Sequence, residues 1–253
     1  IKRPLNKILV IGGGGYIGSV LVRQLLLKGY HVKVLDNFLY GRKSLSNIEN
    51  NKNLKIIEGD TRHIEVVADA TSDVDAVIHL AELVGDPLCD INPKVTQDIN
   101  YLATKLIASV CKHYQINRFV YTSSCSVYGA SENEELLNEE SPLNPQSLYA
   151  RMKIESENAL LDIADGNFSP TILRLGTVFG YSTRPRFDLV VNLLTAKAIK
   201  EGQITIFGGD QWRPNIHILD VAQAIINTLE SPLNKVAGEI FNVGSNDLNL
   251  TIN

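Results

Sequence analysis

Two residues four positions apart, Tyr149 and Lys153 in "YARMK", have the side chains needed to move a proton between them and a substrate. On a helix, positions i and i+4 share a face. An ammonium beside a phenol favours the phenolate and draws its pKa down from about 10. Tyr149 is therefore expected to be a base that removes a hydroxyl proton as hydride leaves the same carbon. A second stretch, "SSCSVYG" at 123–129, follows the apolar run "RFVYT" and offers three hydroxyls, a thiol and a phenol. Residue type alone does not choose among Ser123, Ser124 and Cys125. The thiol is the obvious nucleophile, but no histidine is evidently placed to activate it, and hydride chemistry does not need it. A structural role for Cys125 is expected.

Hydride chemistry needs an acceptor, and the chain begins with a stretch suited to holding one. "GGGGYIG" at 12–18 sets Gly12, Gly15 and Gly18 between the β-rich run "KILVI" and the helical pattern "IGSVLVRQLLLKG". Such a stretch allows a tight turn, close approach of backbone to phosphate, and a helix N-terminus aimed at an anion. Asp36 ends the next strand pattern, "HVKVLD", where a carboxylate can accept both ribose hydroxyls. It would repel a 2′-phosphate, so NAD is preferred to NADP even though Arg42 and Lys43 follow. Asp60, after "LKIIEG", suits the adenine side, and Leu80 and Ala81 at the end of "DAVIHLA" would line the same crevice. Lys153 is also suited to holding the nicotinamide ribose.

Strand and helix alternate through this half with little slack. "RFVYTSS" supplies a fifth strand, a long helical pattern covers Pro93 to Tyr114, another helix runs from Tyr149 to about Ala164, and "PTILRL" is a further strand. That rhythm predicts an α/β fold, a Rossmann-type doubly wound parallel sheet with a smaller C-terminal substrate lobe. A division near Gly180 is expected, with residues 1–180 binding dinucleotide and 181–253 forming mainly the lobe. "RFDLVVNLLTAKAIKEG", "ITIFG", "ILDVAQAIINTLES" and "EIFNVG" are its candidate elements, with a possible return to the large domain. Ile1 is not a natural start and "NVGSNDLNLTI" reads as a new element beginning, so a C-terminal segment is expected beyond Asn253.

Composition narrows the partners. The 253 residues are 44% hydrophobic and 21% charged, a globular balance. A formal charge of −4 and a pI near 5.8 provide no basic field for nucleic acid. Three cysteines form no framework, no apolar run has membrane-span length, and "KRPLNKILVIGG" is too abrupt to be expected as a signal peptide. A cytoplasmic location is expected. The five histidines have no metal-ligand spacing, so no metal is expected.

Taken together and in order, "GGGGYIG", "DN" at 36, "GDTR" at 59, "HLAELVG" at 79, "TSSCSVYG" at 122, "YARMK" at 149, "RLGTVFG" at 174 and "RPNIHILDVAQAI" at 213 resemble the extended short-chain dehydrogenase/reductases. The branch resembled holds the NAD-dependent nucleotide-sugar epimerases, dehydratases and reductases. The resemblance implies cofactor contacts from Gly12, Gly15, Tyr16, Ile17, Gly18, Asp36, Asn37, Asp60, Thr61, Leu80, Ala81, Asn100, Tyr149 and Lys153. It makes Ser124, four positions before Tyr128, the hydroxyl that assists Tyr149, and leaves Ser123 to strand-end structure.

Dehydratases of the family carry Asp and Glu where this chain has Cys125 and Ser126, and its decarboxylases tend to be acidic at the second position. The resemblance therefore implies 4-epimerisation of a nucleotide-diphosphate sugar. An NAD(P)H-dependent 4-ketoreductase is the alternative, with a dehydratase or a non-enzymatic dinucleotide-binding protein further off. Arg213 is implied to grip the diphosphate, with Asn192 and Thr177 near the sugar; Trp212 is a candidate to stack on a base, and Arg184 and Arg186 read as solvated. Glu82 departs from the small residue usual in the family, and either a pocket-facing or a solvated carboxylate is open. A homodimer through the helices at 93–114 and 147–164 is implied, with Ile107, Val110, Ile154 and Leu160 as apolar candidates.

Overall fold

The computed structural model describes residues 5–129, 136–206 and 208–253. β1 (Lys7–Ile11) is buried at every position but its first, as a central parallel strand must be. It is flanked by β2 (His31–Asp36), beyond which lies β3 (Leu54–Glu58), and on its other side by β4 (Ala76–His79). β5 (Phe119–Ser124) and β6 (Pro170–Leu175) continue the sheet beyond β4. All these neighbours pair in parallel. Strand order reverses on either side of β1, so the C-terminal ends of β1 and β4 open a crevice where ligands bind in such sheets.

The connections are helices that seal the two faces of the sheet. α1 (Tyr16–Leu27) joins β1 to β2, α2 (Ile64–Thr71) joins β3 to β4, and α3 (Asp86–Ile91), α4 (Pro93–Gln97) and α5 (Ala103–His113) join β4 to β5. α6 (Leu148–Asp162) joins β5 to β6. One face buries Val67, Ile107 and Leu160 against Leu9, Tyr121 and Ile172, while the other buries Leu21 and Leu25 beside Ile225 and Leu229. The single helix expected over 93–114 is therefore interrupted. Its helical turns widen at Asp98–Leu102, where the Asn100 carbonyl accepts the hydroxyls of Thr104 at 2.8 Å and Ser156 at 2.9 Å. Side-chain donors inserted into the backbone ladder produce such bulges.

β7 (Thr177–Phe179) lies beside β8 (Trp212–His217) in a second, three-stranded sheet, and α7 (Val190–Glu201) stands between them in sequence. α8 (Ile218–Glu230) packs on α1, and β9 (Ile240–Val243) adds to the large sheet beside β6. β10 (Asn249–Thr251) then pairs antiparallel with β8. Residues after 180 are thus shared between the two sheets, because β9 and α8 cover the flank that β6 would leave open. No strand forms over 204–206 of the "ITIFG" run, and Phe207 lies outside the described residues. Among the described residues, no helix is long and apolar enough to cross a membrane.

Three of the apolar residues suggested for a partner face serve this chain's own core. Ile107, Val110 and Leu160 are buried beneath the sheet, so the helical period that marked them was that of an inward face. Behind β5 and β6 lies a charged network instead. Glu157 on α6 pairs with Arg174 on β6 at 2.7 Å, Ser123 donates to Glu157, and Arg174 also donates to the Tyr128 hydroxyl at 2.9 Å. Tyr128 in turn donates to Asn242 on β9 at 2.7 Å. Removing one member of a buried pair leaves the other charge uncompensated. Glu157→Ala should lower unfolding free energy in urea by about 3–5 kcal/mol, and a loss under 1 kcal/mol would mean that this network carries little of the stability.

Candidate active site

The glycine stretch folds as the steric argument requires. Gly12 has φ 86°, and a Cβ there would come within 2.7 Å of the Ala81 backbone nitrogen. A Cβ on Gly18 would strike the carbonyl of Gly12, so the first turn of α1 sits directly on the loop. Gly15 caps α1 without any side-chain hydrogen bond, and no acidic residue stands in the first turn. The helix N-terminus, worth roughly half a positive charge, faces the crevice uncompensated. Tyr16 and Ile17 begin this helix.

Asp36 anchors the loop from β2: its two oxygens accept the Gly14 amide at 2.9 Å and the Phe38 amide at 2.8 Å. Burial pushes its carboxyl up, and these two N–H donors pull it back only in part. Each carboxylate oxygen retains a lone pair for a further donor, so the group fits a ribose diol. Arg42, which the sequence offered as a partner for a 2′-phosphate, lies over the Phe38 ring at 5.0 Å and pairs with Glu58 at 3.3 Å. Asn37 accepts the Leu39 amide in a local turn. Asp60 is held by Arg62, whose side-chain hydrogen bonds keep its carboxyl below the usual range, and Thr61 beside it is buried. The Leu80 amide donates to the Ile11 carbonyl, tying the end of β4 to the end of β1 with Ala81 next to Gly12. Asn100 spends its side chain on the backbone N–H and C=O of Leu83, so it shapes the loop after β4.

At the far side of the crevice Ser147 caps α6 by accepting the Ala150 amide, which places Tyr149 on the first turn and Lys153 one turn deeper. The ammonium lies 5.5 Å from the centre of the Tyr149 ring. Lys153 donates to the Thr122 carbonyl at 2.5 Å, and its side chain is only 5% exposed. The expected depression of the Tyr149 phenol is reversed: burial pushes it up, the pull of Lys153 does not compensate, and the negative charge of Glu82 adds to the rise. Sequence spacing identifies the ammonium but not the carboxylate that opposes it.

Glu82 is neither solvated nor open to the pocket, since its side chain is 2% exposed and accepts the Tyr121 hydroxyl at 2.6 Å. The signal available in the sequence was Tyr121 itself, because a phenol in a fully buried strand needs a partner. Ser124 ends β5 and accepts the Ser126 amide at 3.2 Å, capping the turn at Cys125–Tyr128. Burial pushes the Cys125 thiol up to about 11, with Arg213 opposing weakly.

On the lobe side, Thr177 starts β7 and Arg213 is an exposed residue of β8. Asn192 is tied inward: it donates to the Tyr16 hydroxyl at 3.0 Å and accepts the Gly180 amide at 3.0 Å. Tyr16 donates to the Gly180 carbonyl at 2.8 Å, closing a three-residue clasp. Ser182 and Thr183 extend it by donating to the carbonyls of Tyr16 and Ser44. The two arginines read as solvated are engaged. Arg184 lies 3.8 Å from the Tyr40 ring centre, and Arg186 pairs with Asp188 at 2.5 Å. Trp212 is exposed.

A parallel sheet, a glycine-rich turn leading into a helix N-terminus, a carboxylate at the end of β2 and a buried tyrosine–lysine pair are the features of a dinucleotide-dependent enzyme of the short-chain dehydrogenase/reductase type. Residues 8–244 match the NAD dependent epimerase/dehydratase family, and the chain belongs to it. It is 30% identical to a UDP-glucose 4-epimerase of Bacillus subtilis, over 94% of this chain and 77% of that protein. Identity is 29% to UDP-glucuronic acid decarboxylase 4 of Arabidopsis thaliana, over 91% of this chain and 52% of that one. The fold superimposes on DesIV, a dTDP-glucose 4,6-dehydratase from Streptomyces venezuelae solved with NAD, with TM-score 0.85 and 26% identity, covering 94% of this chain and 76% of that one. These relatives catalyse different reactions on nucleotide sugars.

The raised thiol makes Cys125 a poor nucleophile. At pH 8, alkylation of Cys125 by iodoacetamide should run roughly 100-fold slower than that of an exposed thiol, because so little of it is thiolate. Peptide mass mapping reads the rate, and rapid labelling would restore Cys125 as a candidate nucleophile.

Proposed function

We propose that this enzyme is a nucleotide-diphosphate-sugar 4-epimerase that works through transient oxidation at C4. The observation that carries this reading is the company of Ser124. The next two residues are Cys125, whose thiol is pushed up to about 11, and Ser126, so neither supplies the acid and base that elimination of water requires. The proton-transfer pair beside them is intact, which leaves reversible oxidation as the chemistry available.

NAD fits the cradle: the open N-terminus of α1 suits its diphosphate and Asp36 its ribose diol. When bound, NAD supplies the means of oxidising and reducing one sugar carbon. Engagement of Arg42 by Glu58 supports NAD over NADP. In this reading Tyr149 accepts the C4 hydroxyl proton and returns it to the same oxygen after the 4-ketose has turned, so that hydride is restored to the opposite face of C4. Ser124 donates to the sugar oxygen, and the third N–H of Lys153 serves the phenol or the cofactor ribose. Tyr16, Ile17, Gly18, Asn37, Asp60, Thr61, Leu80 and Ala81 bound the cofactor side and Thr177 and Arg213 the substrate side, while Asn100 acts through the loop it shapes at Leu83 and Asn192 through its clasp with Tyr16 and Gly180. Arg213, exposed on β8, is the group best suited to paired phosphate oxygens.

Incubation with UDP-, dTDP-, GDP- and CDP-sugars, with products resolved by mass and NMR, should give an isobaric C4 epimer without net cofactor consumption. Loss of water would select dehydration, and stoichiometric NAD(P)H oxidation would select reduction. Tyr149→Phe, which removes one oxygen and keeps the ring, should lower kcat by roughly 100-fold or more. Full turnover by this variant would exclude Tyr149 as the acid/base.

Pairing of two copies through α4, α5 and α6 belongs to the same proposal. Exposed side chains along this stretch, such as Leu102 at 47% in the widened turn between α4 and α5, are candidates for the contact, in place of the residues that face the core. Equilibrium sedimentation should give twice the chain mass, and a monomer across a wide concentration range would refute it.

A further inference from the structure

Tyr121 carries a phenol into the middle of β5, where both faces of the sheet are closed. Its hydroxyl donates to Glu82 Oε1 at 2.6 Å. The other oxygen of Glu82 lies 2.5 Å from Lys153 Nζ, an ion pair formed with both side chains almost fully buried. Lys153 also donates to the Thr122 carbonyl and stands 4.7 Å from the centre of the Tyr121 ring. The ammonium is therefore walled in by a carbonyl, a carboxylate and an aromatic face, with the Tyr149 ring on its remaining side. No metal, solvent or distant charge is needed to explain why Lys153 stays there.

We propose that Glu82 is a positioning residue of the proton-transfer pair: its carboxylate fixes the Lys153 ammonium against Thr122 and offsets the charge that Lys153 presents to Tyr149. The inference rests on the reading of Tyr149 as the acid/base. An unopposed ammonium would favour the phenolate, whereas a neutralised pair favours it much less. The charged and titratable groups around the site give the sign. Lys153 from α6 and Arg186 from the segment before α7 favour the phenolate; Glu82 after β4 and Cys89 on α3 oppose it. Glu157 on α6 supports the charge of Lys153, and His79 on β4 is held neutral by burial, pushed down to about 3. Burial lowers the Lys153 ammonium, but Glu82 and Tyr149 outweigh it and the net direction is up. Tyr149 consequently keeps its proton to higher pH than a tyrosine beside a free lysine.

Glu82→Gln removes the charge and keeps a carbonyl to accept from Tyr121. With Glu82 neutral the phenol loses a proton more readily, so the rising limb of kcat/KM against pH should move down by about one pH unit. Ultraviolet difference titration of each protein against its Tyr149→Phe counterpart reads the same phenol without turnover and should show the same displacement. Glu82→Asp, which keeps the charge, should leave the limb close to that of the native protein. Glu82→Ala is a smaller neutral variant and should move the limb as Gln does if the amide does not fold. An unchanged phenol titration in a folded neutral variant overturns the proposal, as does loss of thermal stability with no displacement in pH. A displaced titration without any dependence of turnover on Tyr149 would instead refute the acid/base assignment while leaving the pairing of Glu82 with Lys153 intact.

Discussion

An ammonium buried among apolar strands costs several kcal/mol unless an anion and further acceptors accompany it, and Lys153 meets that constraint with parts from three elements. Thr122 supplies a carbonyl from β5, Glu82 a carboxylate from the loop after β4, and Tyr149 an aromatic neighbour from the turn above on α6. None of these can shift far without stranding the charge. The loop after β4 is further pinned by the Asn100 amide, and the Asn100 carbonyl is held by Ser156 on α6. The widened turn in the helix before α5 is therefore part of the device that fixes the proton-transfer pair.

The inward face of α6 continues the pattern one turn further. Tyr149, Lys153 and Glu157 are spaced four apart and point to the sheet, and each has a partner of opposite or complementary character. Glu157 with Arg174 joins α6 to β6, and Arg174 with Tyr128 reaches the turn after Ser124 and then β9. A helix whose buried face is this polar is positioned by directional contacts as well as by apolar area. Such contacts tolerate less sliding than apolar packing does, which suits a helix proposed to hold a phenol over a reacting carbon.

The cofactor side is built on close approach of backbones. Gly12 lets the loop close on the residues after β4 and Gly18 lets the first turn of α1 sit on the loop, while Asp36 draws the loop toward β2. The segment after β7 is then strapped over this loop by Gly180, Ser182 and Thr183, whose partners are Tyr16 and Ser44. Asn192 locks the strap to α7. The smaller sheet and the glycine turn thus form one unit, and the residues proposed to face a sugar nucleotide are carried on the same framework as those proposed to grip the dinucleotide.

Local spacing made much of this legible. The run of glycines before a helical pattern, the carboxylate at the end of the second strand and the four-residue interval from Tyr149 to Lys153 are consequences of short-range geometry, so the sequence alone determined the parallel sheet, the glycine turn at the start of α1 and the shared helix face of Tyr149 and Lys153. Long-range contact decided the rest. Glu82 stood in a loop with no local feature to mark it as buried, and only the approach of β5 and α6 makes it the counter-ion of Lys153 and reverses the direction expected for Tyr149. Ile107, Val110 and Leu160 showed a helical period that says a face is covered but not by what, and the sheet of the same chain covers it. Periodicity and motif report what a segment can do by itself, whereas the sign of a buried electrostatic interaction depends on charges brought together from segments far apart in sequence.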